Sequence, residues 1–477
     1  MSETLKEKTA RGLFWGALNN GAMQVIGLVF GIVLARLLSP GDYGMIAVIT
    51  IFTITATALQ DSGFGTAIVN MESPEDNDYN SVFWFNILTS LACYTILFFC
   101  APLIARYYHL PQLTALSRYV FLAIIFSALG LAQSAYLQKN LMVKQRAKAN
   151  LTSVLISSTV GALMAWRGFA YWSLATQTNV YILLNTLFYW HYSRWRPNLH
   201  IDFGPVRRMF RFSCKLLATT IISQVNNNIL NILLGRYYSS RSAGYYNQAY
   251  QWNSKAIYVM QGMLGAVSQP VLVDLRKDAG RQLAALRKLV RFTAFLAFPL
   301  LLGFGLVSKE FIVLALTEKW LPSARLLQIL CIGGAFLPIS TLLSNFIISE
   351  GKSGTYFLCT LSLCVVQITT MLLTYSLGVR AMVVIITVIN VVWAFIWFYL
   401  AHRLTAYSPW MFLKDILPFA LAAAAVMAVT FLATRGITTL WLLLAARVML
   451  AALLYFLVMK VARVKILDEC IAFLRRR

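Results

Sequence analysis

Long apolar segments recur along almost the whole of this 477-residue chain, and they limit its possible folds more than any other feature. An α-helix needs roughly 20 residues to cross the ~30 Å hydrocarbon core of a bilayer. The sequence predicts fourteen such helices, at 12–36, 44–69, 81–105, 117–138, 150–167, 171–192, 212–236, 244–269, 290–308, 325–349, 355–376, 381–401, 415–434 and 440–461. A composition that is 59% hydrophobic and only 12% charged agrees with an all-α membrane protein.

The basic residues predict the orientation of the chain in the membrane. An even number of helices places both termini on one side, and most of the 41 Lys and Arg residues fall in the loops of that side. The positive-inside rule therefore puts both termini in the cytoplasm. The formal net charge is +24, but the cations cluster at helix ends. We expect them to contact anionic lipid headgroups and not nucleic acid.

No cofactor, metal site or catalytic constellation is predicted. The seven cysteines lie mostly in apolar segments without a CxxC pair, and the four histidines are scattered. Gly351-Lys352-Ser353 resembles the end of a phosphate-binding loop, but Phe346 stands where that motif requires glycine. No connection is long enough to form a soluble domain, so we predict that the chain is not an enzyme.

Two neighbouring helices in the middle of the chain carry polar stripes. At ~100° per residue, the helix 212–236 aligns Gln224, Asn227, Asn228 and Asn231, and the helix 244–269 aligns Gln248, Gln251, Trp252 and Lys255. Polar groups are expensive in hydrocarbon, so these stripes predict one wall of a water-filled lumen. The alternative is that the amides only join packed helices.

The first of these helices has a counterpart 200 positions earlier. Arg36, Ser39 and Gly44 align without a gap with Arg236, Ser239 and Gly244, and so do Gln24, Val25, Ile32 and Leu34 with the residues 200 positions later. We interpret the chain as two homologous halves, with an N-lobe 1–195, a cytoplasmic linker 196–211, a C-lobe 212–402, and two further helices with a basic tail in 403–477. Repeats of this kind place a substrate site at their interface.

Five short motifs occur in an order that resembles a known family. They are Leu34-Ala35-Arg36 with Leu38-Ser39-Pro40-Gly41-Asp42-Tyr43-Gly44, then Asp61-Ser62-Gly63-Phe64-Gly65, Arg196-Pro197-Asn198-Leu199-His200, Ala243-Gly244-Tyr245-Tyr246-Asn247-Gln248-Ala249-Tyr250, and Glu318-Lys319-Trp320 followed by Leu326-Leu327-Gln328-Ile329-Leu330. Over about residues 1–400 the chain resembles the Wzx-like, colanic-acid-type polysaccharide exporters. These belong to the multidrug/oligosaccharidyl-lipid/polysaccharide flippase superfamily.

The resemblance implies a flippase that moves an undecaprenyl-pyrophosphate-linked oligosaccharide across the bacterial inner membrane by alternating access. The transported repeat unit would serve the synthesis of a surface polysaccharide such as exopolysaccharide, capsule or O-antigen. The resemblance also implies two six-helix lobes around a central cationic cavity, two extra C-terminal helices, and partners among membrane lipids and downstream polymerase and export proteins. A cation-coupled antiporter for drugs or other small molecules is one alternative, and it would favour acidic lumen residues. A membrane glycan polymerase or ligase is another, and it would need a long outer loop.

An anionic pyrophosphate with a polar glycan calls for a few cations and many amides. The predicted substrate-binding residues are therefore Lys255, Lys215, Arg36, Gln24, Gln224, Asn227, Asn228, Asn231, Gln248 and Gln251. Lys255 lies about 18 Å along its helix at 1.5 Å per residue, near the bilayer midplane. A structural lysine is the alternative there. Lys215 is closer to the cytoplasmic end and could reach the interface instead.

Several predicted residues have structural alternatives. Asp61 and Asn20 are predicted to gate or couple transport. Asp61 could instead cap the interruption of its helix made by Gly63 and Gly65. Asn20 and Gln24 lie on the same side of their helix as glycines at packing spacings, which favours close helix contact there. Arg36 could be an interfacial anchor or a ligand for a helix C-terminus, and this structural role is the preferred interpretation for Arg236.

Overall fold

The computed structural model describes residues 5–199, 202–265, 268–464 and 466–469, and all the regular secondary structure in them is helical. The chain divides into two compact units, Met1–Gly244 and Tyr245–Arg477. The helices of the first unit are α1 Leu5–Leu37, α2 Pro40–Asp61, α3 Phe64–Asn70, α4 Asp76–Tyr108, α5 Leu113–Val120, α6 Leu122–Lys139, α7 Val143–Trp166, α8 Tyr171–Tyr192 and α9 Gly204–Tyr237.

The boundary between the units falls within the first turns of α10, Ser240–Gly265. The second unit continues with α11 Ser268–Asp274, α12 Ala279–Leu316, α13 Leu321–Gly334, α14 Leu337–Ser349, α15 Ser353–Thr374, α16 Val379–His402, α17 Pro409–Ala433 and α18 Leu440–Val461. Short 3-10 helices at 275–277, 318–320 and 375–377 join some of these elements.

Eleven candidate spans among the described residues are long and apolar enough to cross a membrane. Helices α8, α9 and α10 also have the length, with 22, 34 and 26 residues, but they are more polar than the eleven. Large apolar side chains stand exposed along the apolar helices, for example Phe99 at 71% and Leu373 at 76%. Such side chains need a bilayer around them, and the chain is therefore a multi-pass membrane protein.

Each of the fourteen predicted segments overlaps one helix or two consecutive helices. Three segments are each split into two helices, α2 and α3, α5 and α6, and α13 and α14, and a fourth segment, 244–269, includes α10 and the first residues of α11. The first break occurs where Ser62 and Gly63 adopt left-handed backbone, with φ of 47° and 76°. At the third break Pro338 stands in the first turn of α14. Because proline has no backbone N–H, it cannot donate the hydrogen bond that would continue α13.

The core of the first unit forms around α2, which packs against α4, α5, α6, α8 and α9. Its centre is apolar and fully buried, and includes Val48, Ile49, Phe121 and Ile124. A chain of polar side chains crosses the same helices. The Gln60 amide donates to Asn86 Oδ1 at 2.9 Å and accepts from the Ser127 hydroxyl at 2.7 Å. Because these buried groups satisfy each other, they fix the relative positions of α2, α4 and α6.

Helix α12 is the centre of the second unit, where it packs against α13, α14, α17 and α18. Its 38 residues make a helix about 57 Å long, almost twice the ~30 Å hydrocarbon core. The predicted segment 290–308 is therefore too short. The helix begins where the Asp278 side chain accepts a hydrogen bond from the Arg281 N–H at 3.0 Å. Its first turns are basic and precede the apolar residues.

The two helix turns that the sequence repeat aligns have the same local structure. At the start of α2, Ser39 Oγ accepts a hydrogen bond from the Asp42 N–H at 3.3 Å. At the start of α10, Ser239 Oγ accepts one from the Ser242 N–H at 3.1 Å. Both serines therefore satisfy a backbone donor that the helix itself leaves unpaired. Ser39 and Ser239, which the predicted alignment at an offset of 200 pairs, thus both accept a hydrogen bond from the N–H three residues later.

These two turns also pack against each other, inside the first unit, through their glycines. A Cβ placed on Gly44 would lie 1.6 Å from the Ser240 carbonyl oxygen, and a Cβ placed on Gly244 would lie 1.8 Å from the Pro40 carbonyl oxygen. Only glycine permits both approaches, because any side chain would overlap the opposite backbone. We call these four residues, Pro40, Gly44, Ser240 and Gly244, the paired-turn contact.

Candidate functional site

The amide stripe on α9 passes from exposed to buried surroundings. Asn227 is exposed, Gln224 and Asn228 are half-buried, and Asn231 is 3% exposed. The Asn228 side chain donates to the Gln224 carbonyl oxygen at 3.0 Å, so it partly serves its own helix. Asn231 Oδ1 is buried without a hydrogen-bond partner among the described residues. An unpaired buried acceptor is costly, so a hydroxyl or water placed beside it would be stabilised.

The stripe on α10 is less uniform than the sequence predicts. Gln251 is exposed, whereas Gln248 and Trp252 are buried at 5% and 4%. The neighbouring Asn253 packs against α13, where a Cβ on Gly334 would lie 2.6 Å from its Oδ1. Gln248 and Trp252 therefore belong to the packed side of α10. Gln251 and the half-buried Lys255 remain the more accessible members of the stripe.

The Lys255 ammonium stands over an aromatic ring. Its Nζ lies 4.4 Å from the centroid of the Trp252 ring, one helical turn earlier. That ring also packs against Phe311, with 4.8 Å between ring centroids and an interplanar angle of 78°. Within the described residues Lys255 has no carboxylate partner and no hydrogen bond. A cation–π contact steadies an ammonium without neutralising it, so its three N–H donors can serve an anion.

The other predicted cations and amides lie in the first unit. Asn20 and Gln24 are exposed on α1, and Arg36 is exposed in the last turn of that helix. Lys215 lies in α9, but its side chain falls outside the described residues. Lys255, Gln248 and Gln251 belong to the second unit. The convergence of all these residues on one lumen therefore stays a prediction.

Asp61 performs the capping role that the sequence offered as an alternative. Its Oδ1 accepts a hydrogen bond from the Gly65 N–H at 3.2 Å, across the left-handed break at Ser62 and Gly63. The carboxylate therefore satisfies the first turn of α3, where it also faces the positive end of the helix dipole. A gating or coupling role for Asp61 and Asn20 stays a prediction.

Arg236 serves the end of a neighbouring helix, which is the structural role preferred for it. Its guanidinium donates to the Tyr107 carbonyl oxygen in the last turn of α4 and lies 4.6 Å from the centroid of the Tyr107 ring. The carbonyls at a helix C-terminus lack partners within the helix, so they can accept hydrogen bonds from a cation. The negative end of the helix dipole also attracts the cation. The contact joins α9 to α4 within the first unit.

A buried ion pair joins α12 to α18, and only its arginine lies within a predicted helix. Arg447 Nη1 lies 2.8 Å from Glu310 Oε1, with the two side chains only 8% and 4% exposed. Arg447 Nε also donates to the Thr434 hydroxyl at 3.2 Å. Arg447 is visible in the sequence as a charge within a predicted helix. Glu310 lies outside the predicted helix, which ends at residue 308, whereas α12 continues to Leu316.

A second ionic group joins α12 to α17 and was missed completely. The Asp415 carboxylate, 2% exposed, accepts from Arg287 Nε at 2.8 Å and from Arg287 Nη2 at 3.0 Å. The Tyr407 hydroxyl donates to it at 3.0 Å, and Arg291 Nε lies 3.7 Å away. We call these four residues the Asp415 cluster. Asp415 is the first residue of the predicted helix 415–434, and its partner Arg287 lies 128 residues earlier.

Comparison with known proteins gives a consistent picture. The family model described as "Polysaccharide biosynthesis protein" matches residues 33–325. The chain is 26% identical over 355 residues to the lipopolysaccharide biosynthesis protein WzxC of Escherichia coli (strain K12), covering 73% of this chain and 71% of WzxC. It is 24% identical over 356 residues to the teichuronic acid biosynthesis protein TuaB of Bacillus subtilis (strain 168), covering 74% of each.

Among solved structures, the fold matches the lipid II flippase MurJ in its inward closed conformation. The TM-score is 0.77 at 15% sequence identity, covering 95% of this chain and 100% of that chain. At such low identity the likeness concerns the fold alone. A match over 95% of the chain includes parts of both compact units.

Proposed function

Because this chain belongs to the polysaccharide biosynthesis protein family, we propose that it is a flippase for lipid-linked oligosaccharides. Its substrate would be an undecaprenyl-pyrophosphate-linked repeat unit, moved from the cytoplasmic to the outer leaflet for synthesis of a surface polysaccharide. WzxC and TuaB, to which the chain is similar, both carry names that place them in polysaccharide biosynthesis. The lipid II flippase that shares the fold supports transport of a lipid-linked glycan.

The observation that carries this proposal is the state of Lys255. Its ammonium stands half-buried on α10, over the Trp252 ring and, in the described residues, without a counter-ion. In the arrangement proposed below, α10 crosses the membrane. Ionisable groups in membranes are retained where function needs them. A pyrophosphate would provide the missing negative charge, and the amides of α9 and α10 would provide donors and acceptors for sugar hydroxyls.

We further propose the membrane arrangement. All fourteen predicted segments would cross the bilayer, including the polar helices α8, α9 and α10, whose amides would then face a central cationic cavity between two six-helix lobes. Helices α17 and α18 would stand beside the second lobe. Both termini would be cytoplasmic in the bacterial inner membrane, because most Lys and Arg residues fall in loops of that side.

The buried acidic groups favour the flippase over a cation-coupled antiporter. An antiporter needs a carboxylate that can bind and release a cation within the membrane. In the described residues, Glu310 and Asp415 are instead each paired with arginine, and Asp61 caps a helix. A polymerase or ligase would need an outer loop for its catalytic residues. The longest connection on the predicted outer side is the short segment 434–439.

The direct test uses purified protein in liposomes that contain undecaprenyl-pyrophosphate-oligosaccharide. We expect the glycan to become accessible to an impermeant lectin or periodate on the opposite leaflet, while the mass of the lipid stays unchanged. A change in mass, or polymer formed by this protein alone, would assign it to the enzyme class. Efflux of small cations without translocation of the lipid would assign it to the antiporters.

A further inference from the structure

The Asp415 cluster carries more positive charge than its carboxylate can neutralise. Arg287 takes both Asp415 oxygens through Nε and Nη2, at 2.8 Å and 3.0 Å. Arg291 stands 3.7 Å from Oδ1, outside hydrogen-bond distance, so its N–H donors are not engaged by the carboxylate. Two guanidiniums on one carboxylate leave a net charge of about +1. The arginine side chains are 34% and 44% exposed, whereas the carboxylate is 2% exposed.

The cluster lies at the level of lipid headgroups on the predicted cytoplasmic side. Asp415 follows the start of α17 by six residues, and just before it Trp410 is 66% exposed with Lys414 Nζ 5.1 Å from the centroid of its ring. Exposed Trp beside Lys is typical of the membrane interface. On α12, Arg291 precedes residue 297 by about 9 Å, and 297–316 alone would fill the hydrocarbon core.

Apolar side chains on the exposed side of α17 show that this helix is surrounded by lipid. Leu413, Leu417 and Leu421 follow Trp410 at helical spacing and are 39%, 47% and 60% exposed. At ~100° per residue they lie on the opposite side of α17 from Asp415, which faces α12. Because the cluster lies at the headgroup level of a lipid-facing helix, an anionic amphiphile fits it better than a soluble anion.

The neighbouring cations differ from the cluster. Lys288 is paired with Glu469 at 2.7 Å, and Arg281 is paired with Asp278 at 3.3 Å, each with one carboxylate for one cation. Arg281 is also 81% exposed, so it is free to move with its partner. Arg287 is different because the buried Asp415 carboxylate holds its guanidinium in place. The Tyr407 hydroxyl in turn donates a hydrogen bond to that carboxylate. A guanidinium that is already ordered loses less entropy when it binds.

We propose that the Asp415 cluster is a binding site for the phosphate group of an anionic membrane lipid. Arg291 provides the principal donors, Arg287 provides a second guanidinium fixed by Asp415, and the acyl or polyprenyl chain of the lipid stays in the surrounding bilayer. The phosphate could belong to a phosphoglycerolipid or to the polyprenyl carrier, since both present the same oxygen chemistry to arginine. Binding there does not depend on the proposed transport function.

The test measures lipid retention by the purified full-length protein with native mass spectrometry, using phosphatidylglycerol and phosphatidylcholine as probes. Arg291→Gln should weaken phosphatidylglycerol binding by about fivefold or more, the effect expected for one basic residue at an anionic membrane surface. Arg291→Lys should retain most of the binding. Arg281→Gln is the matched control, since it removes the same charge from the same helix outside the cluster, and it should change binding by less than about twofold.

Competition then separates the two sources of phosphate. Displacement of phosphatidylglycerol by undecaprenyl pyrophosphate at lower concentration would assign the site to the carrier, and failure of the carrier to displace it would assign the site to phosphoglycerolipids. Either result supports the proposal. Equal losses in Arg291→Gln and Arg281→Gln would show only diffuse surface charge and would overturn it. So would equal retention of phosphatidylcholine and phosphatidylglycerol, or displacement by inorganic pyrophosphate alone at the same concentration as the lipid.

Discussion

Lys255 is held by an aromatic ring, whereas Arg447 and Arg287 are held by carboxylates. The difference decides what each cation can do. Breaking a buried ion pair leaves a charge unpaired and costs about 3–5 kcal/mol. A cation–π contact is worth only about 0.5–2 kcal/mol, and the ammonium keeps its charge while it lasts. An incoming phosphate can therefore bind Lys255 without first displacing a carboxylate.

We expect Lys255→Ala and Lys255→Gln to abolish translocation while the protein keeps its normal level in the membrane. Lys255→Arg should keep part of the activity, because the charge remains but the geometry changes. Lys144→Gln is a matched control, since Lys144 also lies over a tryptophan ring, 5.6 Å from the centroid of Trp15. Activity is measured as glycan exposure in liposomes. Full activity in Lys255→Ala would contradict the assignment.

Trp252 is expected to position Lys255 and not to bind substrate itself. Trp252→Phe keeps an aromatic face below the ammonium and should be nearly neutral, whereas Trp252→Leu should raise the substrate concentration needed for half-maximal transport. A loss of up to about 2 kcal/mol corresponds to up to about thirtyfold in affinity. An unchanged half-maximal concentration in Trp252→Leu, with the protein still folded, would remove the cation–π contact from the mechanism.

At the scale of elements, the buried pair of Glu310 and Arg447 is the clearest link between α18 and the rest of the second unit. Glu310→Gln and Arg447→Met alone should each lower the unfolding temperature strongly, because each leaves the opposite charge buried and unpaired, at a cost of about 3–5 kcal/mol. The double variant should recover most of the loss. Thermal unfolding in detergent checks this, and additive losses would mean that the two residues do not interact.

The paired-turn contact makes an equally specific prediction for α2 and α10. Gly44→Ala and Gly244→Ala should destabilise the observed conformation, because each new Cβ would overlap a carbonyl oxygen at 1.6 Å or 1.8 Å. Gly41→Ala is the control in the same turn, since its Cβ would meet only the Ser39 hydroxyl at 3.6 Å. The readout is the unfolding temperature together with the reactivity of a cysteine placed at Ser242. If Gly44→Ala and Gly41→Ala behave alike, the backbones do not meet as described.

The sequence predicted the elements well and their ends poorly, and particular residues explain both results. Apolar runs of about 20 residues indicate where a helix can cross a membrane, and every predicted helix overlaps an observed one. Helix ends depend on caps such as Asp278, which adds turns of basic residues to α12 beyond the apolar run. The sequence located Lys255 by its charge, but neither the Trp252 stacking nor the Asp415 cluster follows from spacing. Arg287 and Asp415 lie 128 residues apart and meet only through tertiary packing.

At the scale of the whole molecule, the first prediction concerns orientation. Most basic residues fall in loops on the side of both termini, so the C-terminus should be cytoplasmic. A cysteine added after Arg477 should resist an impermeant thiol reagent in intact cells and react once the membrane is opened. A cysteine in the predicted outer connection, replacing Thr439, is the positive control and should react from outside. Labelling of the C-terminal cysteine in intact cells would refute the topology.

The second prediction concerns alternating access. Gln24 and Gln224 occupy equivalent positions of the proposed repeat, so cysteines placed there should change accessibility together during the transport cycle. Both should become reactive to an outside reagent in one state and protected in the other, with the balance shifted by added substrate. A cysteine at Leu413, predicted to face lipid, should show no such dependence on substrate. Independent changes at the two repeat positions would exclude concerted motion of two lobes.

The paired-turn contact has a further consequence, for the history of the chain. Gly44 meets Ser240 and Gly244 meets Pro40, so a segment near the start of each proposed half touches the corresponding segment of the other. A reciprocal contact of this kind is the isologous contact of a two-fold dimer, in which one surface serves both partners. Under the proposed repeat, one polypeptide would contain an interface of the kind that two copies of a half-length chain make with each other.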